Sequence, residues 1–174
     1  DRIEPFVAMP KLVGLSDFAV TPDNSRLFVA DAVMGILLID PIAGSSALLQ
    51  GPENLNLFGI YGIDYADGSL VVTQSGIRPQ RIMRFVLDAA GAGVQSVVPM
   101  AVALEGFDTP GAGTIRGDSL YFFANHGTRS EDDHMRMMVT PLDSGEEIKS
   151  PDMRLFERMV RERMEQQGGE PDKQ

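Results

Sequence analysis

The sequence contains no cysteine, only two histidines and no long apolar run. Without cysteine the chain has no disulfide framework and no thiolate chemistry, and its redox compartment stays open. Since no apolar run approaches the ~20 residues of a membrane helix, we expect no membrane span. Basic residues are also scarce, 15 against 25 acidic ones. The resulting net charge of −10 disfavours nucleic acid and anionic membranes as partners.

Motifs of two common enzyme classes are also missing. The segment Gly14-Leu-Ser16-Asp-Phe18 lacks the last glycine of the nucleophile elbow of serine hydrolases. The segments Gly91-Ala-Gly93 and Gly111-Ala-Gly113 lack the third glycine of a dinucleotide-binding fingerprint. The sequence therefore makes no case for a serine hydrolase or for a nucleotide cofactor.

The sequence contains an internal repeat in three copies. Residues 16–31 return as residues 60–75, 44 positions later, and again as residues 110–125, 50 positions later. Each copy has a short apolar segment, a polar turn, and a β-branched and aromatic run that ends in a polar residue. This pattern predicts the same β-hairpin three times.

The residues after each hairpin repeat more loosely and predict two further strands per copy. Third strands are expected at residues 35–40, 81–88 and 135–143, and fourth strands at residues 46–50, 94–98 and 146–149. Four short strands every 44 to 50 residues is the spacing of a β-propeller blade. A sandwich or an open barrel also uses short strands, but neither requires an internal period. We therefore predict an all-β fold, a β-propeller segment of about three four-stranded blades.

The blades are expected at about residues 15–50, 59–99 and 110–149. Residues 2–8 are similar to the segments that precede the later hairpins, and they predict the outer strand of a preceding blade. Three blades leave two large apolar faces bare, because closed propellers use about four to eight. We expect the remaining blades to come from a longer protein or from a second copy, in a homodimer that completes the ring. No charged-then-apolar leader is visible at Asp1, so we expect no signal peptide in this chain.

Residues 150–167 change from a period of two to a period of 3.6 and predict an amphipathic C-terminal helix. Ser150 can cap its start, Pro151 suits the first helical position, and Asp152 suits the first turn. Its apolar face is formed by Met153, Phe156, Val160 and Met164. The helix either docks on the last blade or binds a partner. Residues 168–174 predict a disordered tail.

In a propeller, the starts of the first strands and the ends of the second strands lie at one rim. The candidate ligand-binding residues that gather there are Asp17, Asp31, Tyr61, Gln74, Ser75, Arg78, Asn125 and His126. Loops at residues 32–35, 76–80 and 127–133 rise from the same rim, and binding favours such loop clusters. We expect a small molecule, a glycan or a protein to bind at this rim.

Two features of the sequence admit both a functional and a structural interpretation. Arg116-Gly-Asp-Ser119 contains the integrin-recognition tripeptide, but it aligns with two other hairpin turns, which favours turn chemistry. His126 is the imidazole at the predicted rim and a candidate general base. No second histidine or orienting acid at a known spacing accompanies it, so a solvated loop histidine is the alternative. Arg81 and Arg84 predict a solvated or salt-bridged strand face.

The blades carry a family resemblance. Residues 14–31, GLSDFAVTPDNSRLFVAD, followed by GILLIDP, resemble a blade of the SMP-30/gluconolactonase/LRE-like family of six-bladed propellers. The segments GIDYADGSLVVTQSGIRPQRIMRFVLD and GDSLYFFANHG are similar to its secreted bacterial branches. The resemblance covers about residues 14–143. It implies half of a six-bladed propeller in a periplasmic or secreted protein.

The same resemblance implies a divalent cation, Ca²⁺ or Mg²⁺, in the central channel, where it would activate water or polarise a lactone carbonyl. Asp17 stands at the position of a family ligand, although Phe18 replaces the family's glycine. The equivalent Tyr61 and Gly111 cannot supply a carboxylate, and Asp17 can instead line a water-filled channel. Two functions stay open: a divalent-metal-dependent lactone or ester hydrolase, and a non-catalytic propeller that binds its ligand at the rim.

Overall fold

The computed structural model describes residues 7, 9–125, 134–145, 148–149, 158 and 162. This part of the chain is all-β, with twelve strands in three antiparallel sheets. Its helical residues are Arg158 and Glu162, whose side chains are exposed. No helix among the described residues is long and apolar enough to cross a membrane.

The first sheet is a four-stranded antiparallel meander. Its strands follow chain order: β1 Leu15–Val20, β2 Leu27–Asp31, β3 Gly35–Asp40 and β4 Ser45–Leu48. The loop between β1 and β2 begins with a turn in which Thr21 O accepts a hydrogen bond from Asn24 N at 2.9 Å. Asn24 has a φ of 57°, a left-handed conformation that asparagine tolerates.

The second sheet repeats this meander and adds a fifth strand at its outer edge. Its strands are β5 Ile60–Ala66, β6 Ser69–Gln74, β7 Arg81–Leu87 and β8 Val94–Val102, followed at the edge by β12 Ile148–Lys149. Asp67 and Gly68 connect β5 to β6 with φ values of 42° and 74°. Two central residues with positive φ define the type I′ turn, whose twist matches that of the hairpin strands.

The third sheet has three strands: β9 Gly113–Arg116, β10 Ser119–Phe123 and β11 Met137–Pro141. Arg116 pairs with Ser119 across the turn, and Gly117 has a φ of 57°. The integrin-like tripeptide is therefore a hairpin turn, as its alignment with the other turns predicts. The fourth strand expected here, at residues 146–149, is placed differently. Ile148 pairs with Val97 of β8, because the free edge of the long strand β8 offers unpaired backbone groups.

The three sheets are arranged as successive propeller blades. β1 contacts β5 and β5 contacts β9, so the first strands of neighbouring sheets lie side by side. Apolar residues fill the space between the sheets. Between the first and second sheets they include Phe28, Ile36, Leu70, Met83 and Phe85, and between the second and third Val71, Ile82, Leu120, Phe122 and Ala124. The predicted all-β propeller segment is confirmed.

The two outer faces of this stack differ. On the first sheet, Leu12 and Val7 pack against the face that points away from the second sheet. On the third sheet, the outer face carries Tyr121, Met137 and Val139, all exposed. An apolar sheet face of this kind ordinarily packs against another layer.

Some predicted elements cannot be compared with the structure. The predicted outer strand at residues 2–8, apart from Val7, lies outside the described residues. So does the predicted tail at residues 168–174, and the predicted helix at residues 150–167 is described at Arg158 and Glu162 alone. These three elements stay predictions.

Gly62 provides a test of the contact between the second and third sheets. A Cβ atom at Gly62 would lie 3.0 Å from Ala112 Cα and 3.2 Å from Gly111 O. We expect Gly62→Ala to push β5 and the chain before β9 apart and to lower the free energy of unfolding in urea by about 1–3 kcal/mol. The control is Gly44→Asn, because Gly44 has a φ of 64° and open space around it. An equal loss in both variants would contradict this account of the contact.

Candidate functional site

Asp31 was predicted to bind a ligand at the rim, and the structure gives it four backbone partners. Its carboxylate accepts hydrogen bonds from the backbone N–H groups of Val13, Gly14 and Val33 at 2.8 Å and of Met34 at 2.9 Å. Burial on its own raises the pKa of Asp31, but the backbone hydrogen bonds outweigh it and the pKa is lowered. This carboxylate holds the segment before β1 and the loop after β2 together.

Gln74 is likewise part of the framework. It is fully buried, and its Nε2 donates to the carbonyl oxygens of Asn56 and Phe58, both at 2.9 Å. Its Oε1 accepts a hydrogen bond from Arg81 Nε at 2.8 Å. Arg81 is buried, so the solvated alternative of the predicted solvated or salt-bridged face is wrong at this position, because a buried amide oxygen accepts a hydrogen bond from its guanidinium.

Asn125 ties the chain after β10 to the chain before β11. Its Nδ2 donates to His134 O at 2.8 Å, and its Oδ1 accepts a hydrogen bond from Arg136 N at 2.5 Å. The side chain is buried, so both of its polar groups are used within the protein. His126 lies outside the described residues, and its role as a general base stays a prediction.

Tyr61 and Arg78 are the predicted rim residues whose side chains are exposed. Tyr61 is 45% exposed and lies beside a bulge in β5 between Ile60 and Gly62. Arg78 makes one long hydrogen bond, from Nη1 to Ser75 O at 3.4 Å. The hydroxyl of Ser75 is buried and has no hydrogen-bond partner in the described part of the chain. We call these three residues the rim patch, in which the side chains of Tyr61 and Arg78 are exposed.

Asp17 lies on β1, the first strand of the first sheet, and faces the second sheet. It pairs with Ala30, which belongs to the core between the two sheets. Asp17 Oδ2 accepts a hydrogen bond from Ile63 N of β5 at 3.1 Å, and Oδ1 accepts one from Phe18 N at 2.8 Å. The neighbouring Ser16 Oγ donates to Ile60 O at 2.8 Å. The side chains of β1 thus join the first two blades along their inner strands.

Asp64 is a second inner-strand carboxylate, which the sequence reasoning missed. It pairs with Val71, whose side chain belongs to the core between the second and third sheets. Partial burial and, secondly, the negative charge of Asp17 raise the pKa of Asp64 to about 6. The sequence marks Asp64 only as a single acid within the largely apolar strand IYGIDYA. The raised pKa of Asp64 depends partly on Asp17, which lies 47 positions earlier in the chain (17 to 64).

The inner-strand carboxylates can be tested against the implied divalent cation. Calcium takes about six to eight oxygen ligands, and magnesium about six in a strict octahedron. Among the described residues no group of three or more acidic, histidine or cysteine side chains could hold a metal ion. Both oxygens of Asp17 also accept backbone hydrogen bonds. The residues of this part of the chain do not by themselves fit the implied cation, and Asp17 as a metal ligand stays a prediction.

The framework role of Asp31 predicts a large loss of stability for Asp31→Asn. An amide would present N–H donors to backbone donors, and we expect the free energy of unfolding to fall by about 2–3 kcal/mol. Because the pKa of Asp31 is lowered in the fold, its stabilisation is complete above the ordinary carboxyl pKa of 3.8 and is lost as the pH falls below it. Asp40→Asn is the control, since Asp40 accepts N–H bonds from Ile42 and Ala43 alone. Equal losses in urea unfolding would contradict the assignment.

The raised pKa of Asp64 predicts the opposite effect for Asp64→Asn. The fold favours protonated Asp64, so its contribution to stability is lost as the pH rises from 3.8 to about 6. Asparagine does not titrate, so we expect Asp64→Asn to raise the free energy of unfolding by about 1 kcal/mol above pH 6. This gain is smaller than the pKa shift alone would give, because the carboxyl is partly exposed. The gain should shrink in urea unfolding as the pH is lowered towards about 4. A gain that does not depend on pH would show that Asp64 is not the titrating group.

The chain matches no protein-family model and no curated protein sequence. Among solved structures it is similar to the PQQ-bound form of an aldose sugar dehydrogenase from Streptomyces coelicolor, with 18% identity and a TM-score of 0.47. The similar region covers 73% of this chain and 42% of that chain, so the protein spans less than half of its length. A likeness this distant carries no information on chemistry. Of the resemblance to the SMP-30/gluconolactonase/LRE-like family, the propeller fold is confirmed by the three sheets themselves.

Proposed function

We propose that this chain is part of a β-propeller that hydrolyses a small lactone or ester, with Asp64 and Asp17 as its carboxylate pair. The observation that carries the proposal is the placement of two carboxylates on the adjacent inner strands β1 and β5, and the raised pKa of Asp64 supports it. Enzymes that use two carboxylates assign them different roles through environments that separate their pKa values. Burial raises the pKa of Asp64, because its carboxyl is partly desolvated at the seam between the second and third sheets.

In this proposal Asp64 is the group that moves the proton. With a pKa of about 6 it is mostly ionised at neutral pH and still able to be protonated. As a carboxylate it takes a proton from the water that attacks the lactone carbonyl, and the tetrahedral intermediate forms. The C–O bond of the ring then breaks, and protonated Asp64 returns the proton to the leaving alkoxide. Asp17 supports the cycle because its charge raises the affinity of Asp64 for that proton.

The proposal is tested by the pH dependence of hydrolysis of a set of γ- and δ-lactones and aryl esters by this chain. We expect the rate to rise through an inflection near pH 6 and Asp64→Asn to lower it by about 10²–10⁴-fold. Asp17→Asn should move the inflection to lower pH, because it removes the charge that raises the pKa of Asp64. Asp118→Asn, in a turn of the third sheet, is the control.

Two outcomes would sink the hydrolase proposal. One is no hydrolysis of any member of the set by the unaltered chain. The other is hydrolysis that Asp64→Asn leaves unchanged, since the carboxyl of Asp64 would then take no part in the reaction.

A second candidate function, non-catalytic binding at the rim, is favoured by the rim patch of Tyr61, Arg78 and Ser75. An exposed guanidinium and an exposed phenol suit a polar or anionic small molecule. The two functions respond to different variants. Arg78→Gln weakens ligand binding under the second function, whereas Asp64→Asn leaves it unchanged.

The remaining blades of the ring belong to both proposals. They come from a longer protein or from a second copy of the chain. The exposed apolar face of the third sheet, with Tyr121, Met137 and Val139, supports a further layer at that position.

A further inference from the structure

A cleft lies between the first two blades at the end of the sheets that carries the hairpin turns, opposite the predicted rim. Its volume is about 680 Å³, within the range of small-molecule sites. Three tight turns surround it: residues 21–26 from the first sheet, and residues 67–68 and 88–91 from the second. We name it the turn cleft.

The wall of the turn cleft is shaped by two aromatic rings. Phe28 and Tyr65 stack with their centroids 6.3 Å apart and their planes 10° from parallel. The hydroxyl of Tyr65 accepts a hydrogen bond from Gly68 N at 3.1 Å, which fixes the ring against the Asp67-Gly68 turn. Phe28 is fully buried, and the half-buried ring of Tyr65 is held on it in a defined orientation at the cleft.

The turns around the cleft are held by their own side chains. Asp23 Oδ1 accepts hydrogen bonds from Thr21 Oγ1 at 2.6 Å and from Ser25 N at 3.0 Å, so its carboxylate is used within its turn. The hydroxyl of Thr21 first, and then Ser25, lower the pKa of Asp23 to about 2. Asp88 Oδ1 accepts a hydrogen bond from Ala92 N at 3.0 Å and orders the turn at residues 88–91. A ligand would find these turns already in place, which reduces the entropy lost on binding.

Three other polar residues line the cleft, with opposite hydrogen-bonding character. Asp67 and Asp88 carry carboxylates, which can accept hydrogen bonds. Arg26 can donate, and its side chain packs beside Gly91 of the opposite turn. Three carboxylates, of Asp23, Asp67 and Asp88, line the cleft against the one guanidinium of Arg26, so the lining disfavours an anionic ligand. The lining suits a ligand that donates hydrogen bonds to the carboxylates and accepts them from the guanidinium.

We infer that the turn cleft binds a neutral hydroxyl-rich ligand, such as one saccharide unit. Each sugar hydroxyl donates and accepts, so neighbouring hydroxyls can donate to Asp67 and Asp88 while accepting from Arg26. The C–H groups of a pyranose ring can lie against the exposed part of the Tyr65 ring. The turn cleft lies at the opposite end of the sheets from the rim patch. This inference therefore goes beyond the proposed function and does not depend on it.

The test measures binding of D-glucose, D-galactose, D-mannose and their methyl glycosides to the full chain by ligand-observed NMR and calorimetry. At least one should bind, and Asp67→Asn should weaken it about 10-fold or more by removing a charged acceptor. Asn-Gly is favoured in a type I′ turn, so Asp67→Asn keeps the hairpin. Arg26→Gln should weaken the same sugar.

The controls place the sugar on the molecule. Asp118→Asn and Arg116→Gln make the same chemical changes at the equivalent turn of the third sheet, and we expect no change in affinity. If no sugar binds the unaltered chain, or if the control variants lose as much affinity as the cleft variants, the inference is overturned. If Asp64→Asn or Arg78→Gln weakens binding and Asp67→Asn does not, the sugar binds elsewhere and the inference is again overturned.

Discussion

The structure depends on apolar contact between neighbouring sheets along adjacent inner strands. Residues alternate along each strand, so both faces of the second sheet are apolar: Phe85 faces the first sheet, and Val71 faces the third. A single sheet with two apolar faces cannot be stable in water, and it needs a neighbour on each side. The backbone at Gly62 approaches the chain before β9 closely, and the side chains of Ser16 and Asp17 bond to β5. Contacts with the next blade therefore fix the position of each blade.

The packing between neighbouring sheets also raises the pKa of one inner-strand carboxylate, Asp64. A carboxylate at the seam between two blades loses water, and a second carboxylate on the adjacent inner strand opposes its ionisation. Asp64 is in that position relative to Asp17, and its pKa moves to about 6. An acid on an exposed turn has no such neighbour. The proposed proton chemistry is thus a consequence of blade packing, since neither residue has a local motif that would set it apart.

At the rim, three of the polar side chains predicted to bind a ligand hold the loops instead. Asp31, Gln74 and Asn125 end the second strands or follow them, and each is buried and bonded to backbone groups of nearby loops. Loops that leave a sheet expose unpaired backbone groups, and a buried polar side chain is the efficient way to satisfy them. At this rim, position alone does not distinguish a ligand-binding side chain from a structural one. Tyr61 and Arg78 differ from these structural residues in being exposed.

The sequence by itself determined the strands, the turns and the repeat. Period-two alternation and turn residues such as Asp67-Gly68 act locally, and a unit written three times predicts stacked blades. The tertiary structure decided what depends on distant residues. It placed residues 148–149 on β8, buried Arg81 against Gln74, brought Asp64 under the electrostatic influence of Asp17, and formed the turn cleft between hairpins of different blades. Hydrogen-bond partners, desolvation and cavities arise between segments far apart in the chain, so a local sequence pattern does not predict them.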